Sequence, residues 1–143
     1  MPVKKFQVST TISANIDAIW QILTDASHYT DWNTTVDKVE GRIAAGEKIT
    51  FHAKVSPGRA FPVKVTEFVP GEKMVWTGGM PLGLFKGERV FTLTDRRGGA
   101  VEFRMSETFS GLLSPLIERS IPNLQPAFDQ FAADLRKRAE TGL

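Results

Sequence analysis

Apolar and polar residues alternate through most of the chain, which is typical of strands that bury one face. The alternating runs are separated by Gly, Pro or Asp signals such as Pro57-Gly58 and Pro70-Gly71. They cover residues 3–13, 35–43, 47–55, 61–69, 72–78, 86–95 and 100–110. Because the connections between the later runs are short, we predict antiparallel neighbours.

Helical spacing replaces the alternation after the first strand. Asn15 is a suitable N-cap for a helix, whose apolar stripe consists of Ile16, Ile19, Trp20 and Leu23. Residues 25–32 predict a second short helix or turn. Two short helices therefore follow strand 1.

The C-terminal segment predicts a long helix. Apolar residues recur at spacings of three and four from Leu113 to Leu135 and define one helical face. Pro122 and Pro126 interrupt this face, and an interior proline removes a backbone hydrogen bond. The segment is either one kinked helix, or a short helix ending near Ser120 followed by a longer one from near Pro122.

These elements predict an α+β fold. A curved antiparallel sheet of about seven strands wraps round the C-terminal helix, which lies across the concave face. Length and the absence of linkers or repeats predict a single domain over residues 1–143.

Composition narrows the function classes. Hydrophobic residues make up 41% of the chain, enough for a core, and the lack of cysteine excludes disulfides and thiolate chemistry. The net charge is only +2 and the basic residues are scattered, so we expect no nucleic-acid partner. His28 and His52 stand in unrelated contexts, so we expect no metal site, and no cofactor is implied.

The N-terminus has no apolar leader and no run is long enough to span a bilayer. We therefore expect a cytoplasmic protein without an integral membrane segment, either a monomer or a homodimer.

Several motifs in this order resemble the START-like or SRPBCC helix-grip superfamily, and most closely its polyketide cyclase/dehydrase-like branch. The motifs are residues 15–20 opening the first helix, Trp32 beginning a strand, residues 70–76, residues 87–93, and residues 107–115 before the final helix. The resemblance covers nearly the whole chain and contains no catalytic signature.

The resemblance implies a cavity for an apolar molecule between the sheet and the C-terminal helix. Strand parity and the helix face select side chains for its lining, although the same side chains could instead fill a solid core. The candidate ligand-binding residues are Trp32, Phe51, Phe61, Val63, Trp76, Met80, Phe85, Arg89, Phe91, Phe103, Met105, Glu107, Phe109, Ile117, Ile121, Leu124 and Phe128.

Three connections fall at one end of such a sheet and predict the cavity mouth. They are residues 56–60, 78–83 and 110–115, all rich in Gly, Pro or Ser. They are either mobile lids or ordinary hairpin turns.

Arg89 and Glu107 are the two charges that interrupt the apolar face of the last hairpin. A turn at residues 96–99 puts Arg89 directly opposite or diagonal to Glu107. One interpretation is a structural ion pair. In another, Arg89 anchors a ligand carboxylate, phenolate or carbonyl oxygen. Catalysis would have Arg89 stabilise an enolate while Glu107 moves a proton, but pairing with Arg89 counts against Glu107 as a general acid.

Three functional hypotheses follow. The leading one is binding of a small hydrophobic or aromatic molecule of lipid, polyketide or isoprenoid type. The second is a polyketide cyclase/dehydratase-like enzyme that uses the same cavity, with Arg89 and Glu107 as weak catalytic candidates. The third is a protein-interaction module with a filled core.

Overall fold

A computed structural model describes residues 4–142 of the chain. Within them, seven strands form one antiparallel sheet in the order β1-β7-β6-β5-β4-β3-β2. The strands are β1 Lys4–Ile12, β2 Val36–Glu40, β3 Lys48–Ala53, β4 Phe61–Val69, β5 Lys73–Met80, β6 Phe85–Arg96 and β7 Ala100–Ser110. All seven predicted runs are strands, with ends shifted by up to three residues. Residue 3 lies outside the described residues.

The strand order follows from the lengths of the connections. Strands β2 to β7 are a meander of hairpins, and β1 closes the other edge of the sheet by pairing with β7 over nine residue pairs from Lys4↔Phe109 to Ile12↔Val101. The chain between β1 and β2 crosses from one edge of the sheet to the other. It contains the two short helices.

Helix α1 spans Ile16–Thr24 and begins as predicted, because the Asn15 side chain accepts a hydrogen bond from the Asp17 N–H at 2.8 Å. A single 3-10 turn over Ala26–His28 leads into α2, Tyr29–Trp32. Trp32 therefore ends a helix rather than beginning a strand, and β2 starts at Val36. The Asn33 side chain explains the delay, since it accepts hydrogen bonds from the Thr35 backbone and hydroxyl and forms a turn there.

The C-terminal segment is broken, which matches the second of the two predicted alternatives. Helix α3 spans Ser114–Ile117 and continues into a 3-10 turn over Glu118–Ser120. Helix α4 then spans Gln125–Thr141, three residues later than predicted. Pro126 lies in the first turn of α4, where the backbone N–H has no helical partner to lose. The extended residues around Pro122 belong to neither helix.

Helix α4 lies against the concave face and completes the predicted helix-grip arrangement. Phe128, Phe131 and Leu135 are buried on its inner side. Asp134 ties the helix to the start of β2, since its Oδ2 accepts from the Thr34 N–H at 2.8 Å and the Thr34 hydroxyl at 2.7 Å. The helix is thereby fixed over one half of the sheet.

Candidate functional site

Three inward-facing residues lie side by side across neighbouring strands. Trp76 on β5 pairs with Arg89 on β6, and Arg89 pairs with Glu107 on β7. We call this set the central row. It divides the interior into a closed half, which contains Phe91, Phe103 and Phe131, and an open half, which extends to the strand ends at Met80 and Phe85.

Aromatic side chains fill the closed half. Phe91 and Phe103 are 0% exposed, and the rings of Phe103 and Phe131 are stacked with centroids 6.1 Å apart and an interplanar angle of 9°. The Phe91 ring lies 4.7 Å from Trp76 and 6.1 Å from Phe131. Close packing of this kind leaves no room for a ligand.

The open half contains a cavity of about 380 Å³ between the sheet and the segment that precedes α4. Its lining is mainly apolar. Most of the predicted lining residues surround it, namely Phe51, Phe61, Val63, Trp76, Met80, Phe85, Arg89, Glu107, Phe109, Ile117, Ile121 and Leu124. The cavity is large enough for a small molecule.

The remaining predicted lining residues lie elsewhere. Trp32 packs against Tyr29 and Phe131, and Phe91 and Phe103 belong to the closed half. Met105 and Phe128 line a separate void of about 30 Å³ next to Arg89. Parity selects the face of the sheet on which a side chain lies, but it does not tell how far along the strand the helix has already filled the space.

Two glycines form part of the cavity wall; Gly78 was predicted to lie in a mouth loop, and Gly87 was missed. Gly78 and Gly87 are directly opposite each other on β5 and β6, and both line the cavity. A Cβ on Gly87 would lie 3.3 Å from Cε1 of Phe109, and one on Gly78 would lie 2.9 Å from Cγ1 of Val63. Their parity with Trp76 and Arg89 is a signal that could have identified them. Ser56, Arg59 and Gly79 also line the cavity and lie in segments predicted for its mouth, whereas Pro62, Ser120 and Pro122 were missed.

Arg89 and Glu107 form the ion pair that the sequence predicted to be within reach. Both Nε and Nη2 of Arg89 donate to the same oxygen, Oε2 of Glu107, at 3.2 and 2.8 Å. The side chains are only 12% and 11% exposed. The guanidinium also lies between two rings, 5.2 Å from the Phe51 centroid and 4.9 Å from the Phe128 centroid, where cation–π attraction holds it.

Two of the three predicted mouth loops are joined by backbone hydrogen bonds. The Leu112 N–H donates to the carbonyl of Gly83 at 3.0 Å, and the Leu113 N–H donates to that of Leu84 at 2.7 Å. Leu82 at the tip has a φ of 61° and is 91% exposed. The third loop contributes Ser56 and Arg59 to the cavity lining, so all three predicted loops border the same end.

The other polar candidates lie away from the cavity. His28 pairs with Asp25 at 2.8 Å in the turn after α1, and this hydrogen bond raises the pKa of His28. His52 Nε2 contacts Glu40 Oε1 at 2.7 Å on the outer side of the sheet. Among the described residues, no group of three His, Cys, Asp or Glu side chains is arranged to hold a metal ion.

Tyr29 is buried beside the central row but remains a structural residue. Its hydroxyl donates to the carbonyl of Leu23. Burial raises the pKa of Tyr29 far above the ordinary tyrosine value, against a smaller opposing effect of the Arg89 charge. It stays protonated and does not supply an anion to the cavity.

Two further grooves enclose about 430 and about 460 Å³. The first is lined by Lys5, Arg104 and several hydroxyl side chains, and the second lies between β1 and the charged side of α4. The polar lining of the first groove is unsuited to an apolar ligand, and the second is an open surface groove. In residues 4–142, no helix combines the length and apolar character needed to cross a bilayer.

Comparisons with solved structures agree with the fold. A START superfamily protein from Mycobacterium smegmatis is 14% identical, with a TM-score of 0.72 over 97% of this chain and 99% of that one. The Zhui aromatase/cyclase from Streptomyces sp. R1128 is 14% identical, with a TM-score of 0.67 over 99% and 98% of the two chains. Norcoclaurine synthase from Thalictrum flavum is 14% identical, with a TM-score of 0.70 over 95% and 92%. At these identities the likeness extends to the fold alone.

No curated protein matches the sequence significantly. A family model does match it over residues 4–140, which include every strand and nearly all of α4. The family is described as polyketide cyclase / dehydrase and lipid transport. This chain belongs to that family.

Proposed function

We propose that this protein binds a small, largely apolar molecule in the cavity of the open half. The observation that carries the proposal is an apolar space of about 380 Å³ whose lining includes Ser56 and Arg59 of the β3–β4 loop and Met80 at the end of β5. Ligand pockets in proteins have volumes of roughly 300–1,000 Å³ and are lined mainly by hydrophobic and aromatic side chains. The volume suits a molecule of two or three fused rings or a short acyl chain.

Apolar contact would supply most of the binding free energy. Phe51 and Phe61 form one wall with stacked rings 5.3 Å apart, and Phe85 and Phe109 form another with stacked rings 5.8 Å apart. A flat hydrophobic ligand would cover aromatic surface on both sides. Each square ångström of apolar area removed from water contributes roughly 25 cal/mol.

The mouth loops suit a regulated entrance. The backbone hydrogen bonds from Leu112 and Leu113 to the β5–β6 turn hold two of the loops together. Few hydrogen bonds have to break for the loops to separate and admit a ligand. Residues at the tips, among them Leu82 and Leu112, are largely exposed.

The direct test is binding of naphthalene, an uncharged two-ring probe, measured by thermal shift and calorimetry. A ligand that binds only the folded protein raises its melting temperature by mass action. Val63→Phe places a ring in the cavity and should abolish the shift. Val69→Phe is the matched control, because Val69 lies at the end of the same strand, 40% exposed and outside the cavity lining.

Failure of naphthalene to bind, or an equal loss of binding in both variants, would contradict the proposal. Native mass spectrometry of the protein purified from its own host would then weigh any molecule that co-purifies. A mass that disappears in Val63→Phe but not in Val69→Phe identifies the natural occupant of the cavity.

The second candidate function is catalysis of a cyclisation or dehydration, favoured by one observation: an ion pair lies inside the apolar cavity. Guanidinium donors are suited to stabilise an enolate oxygen, and the cavity walls could hold a poly-carbonyl chain in a folded conformation. The test is product formation from a poly-β-carbonyl substrate above the uncatalysed rate. Activity that is unchanged in both Arg89→Met and Glu107→Gln would exclude this role for the pair.

A further inference from the structure

In the Arg89–Glu107 pair, one carboxylate oxygen and three of the five guanidinium N–H groups, two of them on Nη1, are left unused. Arg89 donates two hydrogen bonds to Glu107, from Nε and from Nη2, and both go to Oε2. Neither Nη1 of Arg89 nor Oε1 of Glu107 has a hydrogen-bond partner among the described residues. A pair that shared both oxygens with both terminal nitrogens would have satisfied these atoms internally.

These unused atoms are accessible. Among the described residues, the polar side-chain atoms sealed from solvent without a partner are Asn33 Nδ2, Trp76 Nε1 and Ser114 Oγ. Nη1 and Oε1 are not among them, and both of their residues line the cavity. A bound molecule can therefore meet free N–H donors of Arg89 and a free carboxylate oxygen of Glu107 in this cavity.

The pair is held in place rather than free to rearrange. The rings of Phe51 and Phe128 lie on either side of the guanidinium. Arg89 and Glu107 are directly opposite each other on β6 and β7. Arg89 cannot leave Glu107 for a ligand anion without giving up the salt bridge and uncovering a nearly buried carboxylate. That change is costly in an apolar environment.

Charge is balanced at this end of the cavity. Arg59 is the other ionisable residue among the described residues that line it, and Arg59 belongs to the β3–β4 mouth loop, where it lies 5.9 Å from the Phe61 ring. A ligand carboxylate that reached Arg89 would lie beside the Glu107 carboxylate with no second cation from the central row. Like charges at that distance repel strongly where the local dielectric is low.

We infer that the ligand has an uncharged polar head that carries both a hydrogen-bond acceptor for Arg89 Nη1 and a hydrogen-bond donor for Glu107 Oε1. A primary carboxamide, or an enol or hydroxyl adjacent to a carbonyl, has this pattern. A carboxylate and an ester do not. This inference rests on the proposed function and selects among the carboxylate, phenolate and carbonyl heads that the sequence left open.

The test uses three probes with the same two-ring body: 2-naphthamide, methyl 2-naphthoate and 2-naphthoate, measured by calorimetry at pH 7, where the carboxyl group is ionised. 2-Naphthamide should bind about tenfold more tightly than 2-naphthoate, the ratio that about 1.4 kcal/mol produces. It should also bind several-fold more tightly than the ester, which lacks the donor.

Glu107→Gln removes the negative charge and keeps the shape of the side chain. It should raise the affinity for 2-naphthoate about tenfold, because Arg89 then carries an unbalanced charge. Thermal unfolding checks that the variant folds, and the wild-type series decides the question by itself if it does not.

Tighter binding of 2-naphthoate than of 2-naphthamide to the wild-type protein would overturn the inference. Equal binding of amide and ester would overturn it as well. If naphthalene binds in either of these cases, only the choice of head group fails. If naphthalene and all three probes fail to bind, the proposed function fails with it.

Discussion

The two halves of the interior are built from the same strands yet differ in what fills them. On β6, Phe91 in the closed half is fully buried, whereas Gly87 in the open half has no side chain at all. The helical layer also supplies more side chains to the closed half than to the open half. Helix α4 brings Phe128 and Phe131 into the interior at the central row and beyond it, but over the open half there are only α3, a 3-10 turn and the extended residues around Pro122.

The cavity exists because side chains are missing from both the sheet and the helical layer. The paired glycines on β5 and β6 remove two inward side chains from the sheet, and the helix break removes the regular ridge of side chains that α4 supplies further on. The Phe109 ring and the Val63 side chain approach the two glycines, yet a cavity of about 380 Å³ remains. An apolar void of this size costs stability, so its presence in a fold that is otherwise tightly packed supports a functional role for the space.

The largest expected difference between the halves is in the response to loss of a ring. Phe103→Ala should lower the free energy of unfolding by about 3–5 kcal/mol, because the ring is fully buried and stacked on Phe131. Phe61→Ala should cost less than half of that, since Phe61 is half-buried and already borders empty space. Urea unfolding of the two variants measures both values, and similar losses would show that the halves are equally packed.

The central row should give an intermediate effect. Arg89→Met leaves a nearly buried carboxylate without its partner and should cost about 2–3 kcal/mol. The double variant Arg89→Met/Glu107→Leu should cost less than the sum of the single variants. A double-mutant cycle measures this coupling.

The control for the central row is the exposed pair of Lys86 and Glu88 on the same strand, with side chains 56% and 38% exposed. Its coupling should be below about 1 kcal/mol, as is usual for surface ion pairs. A coupling of Arg89 with Glu107 as small as this would mean that water in the cavity screens the central row like an outer surface.

Adding volume should separate the halves in the opposite way. Val65 and Val63 both face inward on β4, but Val65 is 0% exposed and Val63 lines the cavity. Val65→Phe should cost about 1–3 kcal/mol through overpacking, whereas Val63→Phe should change the stability by less than about 0.5 kcal/mol. Chemical denaturation of the matched pair is the measurement, and an equal cost would show that the open half has no usable space.

The smallest effect lies outside both halves, at His28 and Asp25. The hydrogen bond to Asp25 raises the pKa of His28 above 6.5, and the hydrogen bond to His28 lowers the pKa of Asp25 below 3.8. His28, whose pKa is raised, stabilises the fold fully below pH 6.5, and this stabilisation is lost as the pH rises through the folded-state pKa of His28. Asp25, whose pKa is lowered, stabilises the fold above pH 3.8, and this stabilisation is lost as the pH falls through the folded-state pKa of Asp25.

The stability difference between the wild-type protein and His28→Gln should therefore be largest between pH 3.8 and pH 6.5 and shrink at alkaline pH. Thermal unfolding across the pH range measures this difference. A difference that instead grows above neutral pH would mean that another group governs this titration. Ligand binding should be the same in both proteins, because His28 is outside the cavity lining.

Most of the fold could be predicted from local pattern. Alternation identified every strand, the Asn15 cap identified the start of α1, and Pro122 indicated that the C-terminal helix is interrupted. These are local signals, because a side chain's parity and a proline's missing N–H act on the chain within a few residues. The end of α2 at Trp32 agrees with the predicted segment 25–32, but the prediction that Trp32 begins a strand was wrong, because the Asn33 turn before β2 depends on one side-chain conformation.

The candidate site could be predicted only in part. The opposition of Arg89 and Glu107 follows from the length of a single hairpin, so counting residues from the turn was enough to find it. The division between lining and core could not be found in this way. Phe91 and Phe109 have the same parity and the same chemistry, yet one is packed against Phe131 and the other borders the cavity.

Local sequence pattern was enough to identify the apolar face of each strand, the order of the elements, and the two charges that lie in one row. Where along that face the interior is empty became visible only in the folded molecule. The reason is that occupancy depends on where a second element lies, and α4 is positioned by contacts between residues a hundred positions apart, such as Thr34 with Asp134. The sequence pattern of a strand sets the face on which its side chains lie, whereas packing between distant elements sets how much of the interior volume is filled.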